Sequence, residues 1–143
     1  MTTITLRKAR TIIAKALAKG QEAGMKPLSV CVLDAGGHVT AFEREDGASI
    51  GRFDIARGKA SGALQMGLGS RALGERAEKQ AYFLLSVGGI FPDGLVPVPG
   101  GVLVRDRKGD LIGAVGISGD NSDNDEIAAM AGIEAAGFVA DPG

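Results

Sequence analysis

The sequence predicts a single α/β domain of the α+β kind, with a central, mainly antiparallel sheet flanked by helices. Three observations carry this. Leu28–Phe42 and Val102–Ile117 each read as strand, tight turn, strand, with glycine or acidic residues at the turn. Neither unit contains the helical stretch that a parallel β-α-β crossover requires. Segments with apolar residues at helical spacing flank both units, as the covering layers of such a sheet do. The 143 residues fit one domain over 1–143, large enough to bury about two-thirds of the surface of the unfolded chain.

The elements follow in order. Thr5 is placed to cap a first helix whose apolar positions are Leu6, Ala9, Ile13, Ala16 and Leu17, with stops at Gly20 and Gly24 before Pro27. Leu28–Leu33 is a strand, Asp34–Gly37 its turn, and Val39–Phe42 the returning strand. Ser49 opens a second helix reaching about Leu68, with Phe53, Ala56, Ala60 and Ala63 along one face. A third helix is expected from Ser70 to near Leu85, through Leu73, Ala77 and Ala81. Residues 88–101 hold five glycines and three prolines, which neither helix nor sheet accepts comfortably. Val102–Arg105, a turn at Asp106–Gly109 and Leu111–Ile117 form the second hairpin. Asp123 then caps a last helix, with Ile127, Met130, Ala131, Ala135 and Phe138 inward and Gly137 near its end. The hairpins match at a shift of 72 positions: Val30, Val32, Asp34, Gly37 and Gly47 fall on Val102, Val104, Asp106, Gly109 and Gly119. An internal duplication and a shared demand for turn residues account for this equally well.

Composition removes several function classes. The net charge of −1, without a long Lys/Arg block, lacks the electrostatic footprint of a nucleic-acid binder. Five Phe, one Tyr and no Trp leave few platforms for stacking bases. The lone cysteine, Cys31, excludes an intramolecular disulfide and a Cys-rich zinc site. No apolar run approaches the ~20 residues that span a bilayer, and Met1–Ala9 reads as a helix start rather than a secretion signal. The expected compartment is the cytoplasm, with no nucleic-acid or membrane partner. The 23 glycines sit beside apolar runs and point to tight turns and close backbone packing.

Several motifs are candidates for chemistry. Gly113–Gly119 has G-x-x-G-x-x-G spacing inside a strand, so it reads as a thin packing strand rather than a dinucleotide cradle. Asp120–Glu126 is rich in oxygen ligands but lacks the glycine and spaced glutamate of a calcium loop, and acidic residues also suit a helix start. No metal site is assigned. His38, the only histidine, is a candidate axial haem ligand, since one imidazole suffices there; a solvated turn residue is the alternative. Cys31 reads as a small core or interface residue. In the second helix, Gly58 and Gly62 make one face thin, while Arg52, Ile55 and Lys59 occupy a neighbouring one. Lys59 can pair with Asp125 and Glu126, receive a ligand carboxylate, or stay solvated. The 88–101 loop is a candidate binding loop, its bare amides suited to an anion or carbonyl, or an oligomer arm.

These residues carry a resemblance. Pro27–Val39 with Ala41-Phe42 and Asp46–Ala48, Ala56–Ala60, Pro99–Gly101, and Gly113–Gly119 followed by Asp125-Glu126 resemble the signatures of the GlcG/HbpS family, the haem-degrading or DUF336-like proteins. The resemblance covers nearly the whole chain. It implies a profilin-like, three-layer domain with about five mainly antiparallel strands, and assembly into dimers or larger rings. It further implies binding of haem, a corrinoid or a smaller metabolite. The function expected is therefore a cytosolic small-ligand-binding oligomer of a catabolic pathway, its ligand haem, a corrinoid or a small hydroxy- or keto-acid. The site is expected between the second helix, the 88–101 loop and the 118–126 segment. Its residues are Lys59, Pro99, Gly100, Gly101, Ser118, Gly119, Asp125 and Glu126, with His38 as haem ligand. The alternatives are an enzyme on a small carbonyl or enol substrate with Lys59 as acid/base, and a structural assembly partner.

Overall fold

The computed structural model describes residues 2–143. Its elements are α1 (Leu6–Glu22), β1 (Ser29–Asp34), β2 (Val39–Arg44), α2 (Arg52–Met66), α3 (Ser70–Lys79), α4 (Ala81–Gly88), β3 (Gly101–Arg105), β4 (Leu111–Ser118), α5 (Ser122–Ala135) and β5 (Val139–Asp141). The five strands form one sheet in the order β2-β1-β4-β3-β5, with every neighbouring pair antiparallel. Helices α1 and α5 cover one face, and α2, with α3 and α4 outside it, covers the other. This is the three-layer α+β domain the sequence predicts.

Strand alternation sorts the core into two layers. Val30, Val32, Val102, Val104, Val115 and Ile117 point to α1 and α5, where they meet Ile12, Ile13 and Ile133. Cys31, Leu33, Leu103 and Ala114 point the other way, onto Ala56, Ala60 and Ala63 of α2. This second layer is thin because its residues are small. Gly116 is the limiting case, since a Cβ there would overlap the backbone carbonyl of Ala56. The glycine-rich stretch of β4 thus serves helix–sheet packing, and burial pushes the Cys31 thiol up to about 12.

The two turns share one hydrogen-bond pattern. Asp34 Oδ1 accepts the N–H groups of Gly36 and His38 at 2.9 Å, and Asp106 Oδ1 accepts those of Lys108 and Asp110 at 2.9 Å. Gly37 and Gly109 take positive φ, 85° and 92°. The local demands of the turn alone account for the matched Asp and Gly.

Four expectations need correction. The third helix breaks at Gln80, whose φ of −140° and ψ of 56° separate α3 from α4. Asn121 rather than Asp123 caps α5, its side chain accepting the Asn124 N–H at 2.8 Å. The buried face of α5 is Ala128, Ala129, Gly132 and Ile133; Met130, and Phe138 just beyond the helix, pack against the core as expected, while Ile127 and Ala135 face out. Gly132 explains the choice: α5 crosses α1 so closely that a Cβ there would meet the Ile12 carbonyl. In α1 likewise Ile12 is buried and Leu6 is exposed. The chain ends in a short edge strand, β5, which completes the five strands expected although no local sequence signal marks it.

Candidate functional site

One end of the sheet gathers most of the candidate residues. Ser118 and Gly119 end β4, Gly100 and Gly101 start β3, Lys59 comes from the middle of α2, and Asp125 and Glu126 lie in the first turns of α5. Lys59 sits beside the Ala56/Ala60/Ala63 face of α2, so its side chain runs past the sheet end rather than out to water. Its Nζ donates to the Ile117 carbonyl at 2.9 Å and to Asp125 Oδ2 at 3.0 Å. Lys59 is 2% exposed and Asp125 1%. The other Asp125 oxygen accepts the Asp120 N–H at 3.0 Å. Residue 100 must be small to let the lysine through, for a Cβ there would stand 2.9 Å from Nζ and 3.1 Å from Cδ.

The electrostatics follow from burial. Desolvation drives the Lys59 ammonium below its ordinary range, and the Asp125 charge and hydrogen bond offset part of that. Desolvation raises the Asp125 carboxyl, which the Lys59 charge and the Asp120 N–H oppose. Each charge is tolerated there because the other is present. The pair links the α2 layer to the α5 layer across the end of the sheet.

A second linkage lies alongside. The Ser70 hydroxyl accepts the Gly101 N–H at 2.7 Å, so that amide is already occupied. Arg71 grips Glu126 with two nitrogens, Nε to Oε1 at 3.0 Å and Nη2 to Oε2 at 2.8 Å, and also pairs with Asp123. Those carboxylates raise the guanidinium above its ordinary range. Ser118 Oγ accepts from Arg52 Nη1 at 3.1 Å. Gly119 packs against the Pro27 carbonyl. The expected residues are therefore brought together, but Lys59, Gly101 and Asp125 form a packed junction whose hydrogen bonds are satisfied internally. Ser70 and Arg71 were missed by sequence reading. Asp123 and Glu126, three apart on one helix face, were the available signal that a cation faces them.

Of the expected site residues, Pro99 lines an open cavity. This groove of about 400 Å³ runs between α3 and the 97–99 segment, with Ala77, Pro97, Val98 and Pro99 as apolar wall, Arg71 at one end, and Glu75 and Glu78 beside it. A second, apolar cleft of about 470 Å³ lies between α2, α4 and the 93–97 loop, walled by Gly58, Ala81, Leu84, Leu85, Leu95 and Val96. Here the thin face of α2 matters: Cβ atoms at Gly58 and Gly62 would strike Val96 and Leu95. His38 lies elsewhere, at the β1–β2 turn, 82% exposed and 3.4 Å from Asp34. That is the opposite end of the sheet, the six-residue length of β1 away, about 16 Å at strand rise. The cavity near it has Ala35, Leu111 and Ile112 as well as Asp34, Asp106 and Asp110 in its wall, and His38 is not part of that wall.

These positions test the fit of haem. Neither the groove nor the apolar cleft has a His, Cys or Met in its wall, and the exposed histidine pairs with Asp34 at the turn instead of entering either one. Neither the groove nor the cleft thus combines an iron ligand with its apolar wall. Among the described residues, no group of His, Cys, Asp and Glu is arranged to hold a metal ion.

Three layers closed at one end by a buried ion pair and a partly exposed one beside it, with a groove and a cleft on the outer helical side, define a compact α+β domain of the profilin-like kind. The chain belongs to the family described as haem degrading protein HbpS-like, which matches residues 4–134. No curated protein matches it. Among solved structures it is similar to a PduOC:heme complex, with 25% identity over 94% of this chain and 95% of that one and a TM-score of 0.82. It is similar to HbpS itself at 28% identity, covering 92% and 89% of the two chains, with a TM-score of 0.78. It is also similar to the Klebsiella pneumoniae DUF336 protein ORFY at 25% identity, covering 96% and 92%, with a TM-score of 0.85.

Proposed function

We propose that the protein is a small-ligand-binding oligomer that holds an amphipathic acid in the groove between α3 and Pro97–Pro99. The observation that carries the reading is the match to a haem complex along almost the whole chain. The groove supplies the matching chemistry: an apolar wall for the body of the ligand, and Arg71 for its acid. Arg71 uses Nε and Nη2 on Glu126 and Asp123, which leaves Nη1 to receive an acceptor on the ligand. Glu75 and Glu78 at the same groove accept hydroxyl or N–H donors. The candidate ligands are thus haem or a corrinoid held without an iron ligand, and a small hydroxy- or keto-acid. Lys59, Gly100, Gly101, Ser118, Gly119 and Asp125 act from behind, fixing Glu126 and hence Arg71. The reading takes the cytoplasm and a catabolic pathway as the setting, consistent with the one cysteine being a buried thiol.

Calorimetric titration with haem, with metal-free protoporphyrin, and with a panel of hydroxy- and keto-acids tests this. The expected result is binding of at least one class, weakened tenfold or more by Arg71→Ala and unchanged by His38→Ala. Haem binding that needs His38 and fails with protoporphyrin overturns the groove. Turnover of a keto- or hydroxy-acid, lost in Lys59→Met, would instead favour an enzyme. The observation on that side is the lowered Lys59 beside the raised Asp125, a pair suited to proton exchange if the junction opens to substrate.

A further inference from the structure

Helix α4 is apolar apart from Ser86, whose hydroxyl donates to the Tyr82 carbonyl of its own helix at 2.7 Å, yet Leu84 is its one buried residue. Tyr82, Leu85 and Gly89 fall at i, i+3 and i+7, so they form one stripe, which Ile90 extends. Tyr82 is 70% exposed, Leu85 77% and Ile90 74%. Large apolar side chains grouped this way differ from the scattered exposed ones common on any surface. Leu85 also forms the lip of the apolar cleft, so a convex apolar ridge stands directly beside a concave apolar cleft. Charges follow the same division. Lys79 is exposed at the start of the ridge, and Asp54 and Asp93 line the cleft, with only the longer contacts to Arg57 at 3.8 and 3.6 Å.

We propose that this surface pairs with a second copy of the same chain about a two-fold axis, the α4 ridge of each copy seated in the α2–α4 cleft of the other. A ridge and a cleft side by side on one face are what an isologous contact requires. Such pairing buries Tyr82, Leu85 and Ile90 twice over and sets each Lys79 against the partner's acidic cleft. Area supports the two-way arrangement. An eight-residue helix is about 12 Å long, too short alone to supply the ~800 Å² per partner of a standard interface. Ridge plus cleft from both copies brings the 93–97 loop and α2 into the contact. A small apolar ligand in the cleft would leave the ridge exposed. Mixed charges along α3 (Glu75, Arg76, Glu78, Lys79) are unlike the basic face that meets an anionic membrane. The inference names the surface for the self-association included in the proposed function and is independent of the ligand.

Sedimentation equilibrium on the full chain between 1 and 200 µM tests it, with wild type, Leu85→Glu, Lys79→Glu and the swap Lys79→Glu/Asp93→Lys. The expected result is a wild-type dimer or a multiple of one. Leu85→Glu should raise its dissociation constant a hundredfold or more, and Lys79→Glu about tenfold with recovery in the swap. Far-UV circular dichroism and urea midpoints establish that the variants are folded; both sites are exposed in the single chain, and Lys79→Glu serves if Leu85→Glu does not fold. A wild-type chain monomeric at 200 µM overturns the inference together with the self-association in the proposed function, leaving ligand binding intact. An oligomer that Leu85→Glu and Lys79→Glu both leave unchanged overturns this surface alone.

Discussion

Removing one member of the Lys59–Asp125 pair should cost far more than removing both charges. In Lys59→Met the carboxylate stays buried, with the Asp120 N–H as its remaining donor; in Asp125→Asn the ammonium keeps the Ile117 carbonyl and an amide oxygen. Breaking a buried pair on one side typically costs about 3–5 kcal/mol, while replacing both charges is often neutral. Whole domains are stable by about 5–15 kcal/mol, so each single variant should move the urea midpoint well below wild type. Lys59→Met/Asp125→Asn should recover most of the loss. The pH dependence separates the singles. In Lys59→Met the raised Asp125 carboxyl destabilises the fold when ionised, so the deficit is full above its folded pKa and disappears as pH falls below the unfolded value near 3.8. In Asp125→Asn the lowered Lys59 destabilises the fold when charged, so the deficit is full below its folded pKa and disappears above 10.5. Urea unfolding of the four proteins from about pH 3 to about pH 11, which brackets both ordinary values, gives the cycle. Additive losses in the double variant, or single losses under about 1 kcal/mol independent of pH, would refute the pairing argument.

Other consequences are measured as readily. Gly116→Ala forces a methyl into the Ala56 carbonyl and should cost about 3 kcal/mol or more. Gly109→Ala, in open space at positive φ, should cost about 1 kcal/mol, or roughly 3–4 °C in Tm. Cys31 should resist thiol reagents at pH 8 in the folded protein and react on unfolding, because its thiol is buried and raised to about 12; rapid labelling of native protein would contradict this. Arg71→Ala should lower stability by only about 1 kcal/mol, since the guanidinium is partly exposed, while its effect on ligand affinity is larger.

The hairpins were readable because period-two alternation and an Asp/Gly turn are local signals. The helical faces were harder. In α5 the close approach to α1 is made by Gly132 and alanines, whose small size gave no signal, while the larger Ile127 faces water; bulky residues located only part of the face, Met130 and Phe138 at its margin. At the site, Lys59, Gly100 and Asp125 are far apart in sequence, and their juxtaposition follows from strand order. The sequence offered pairing of Lys59 with Asp125 as one of three outcomes, and that is the one the structure adopts; burial, which selects among them, follows only from the fold. Arg71 went unnoticed because its meaning comes from two acids some 50 residues away.

The most direct measurement of the central claim is amide chemical-shift mapping on labelled protein titrated with metal-free protoporphyrin and with hydroxy- and keto-acids. The account predicts saturable shifts concentrated at residues 71–78 and at Val98 and Gly100, weakened in Arg71→Ala. Shifts centred on the His38 turn, or none with any of these ligands, would contradict it.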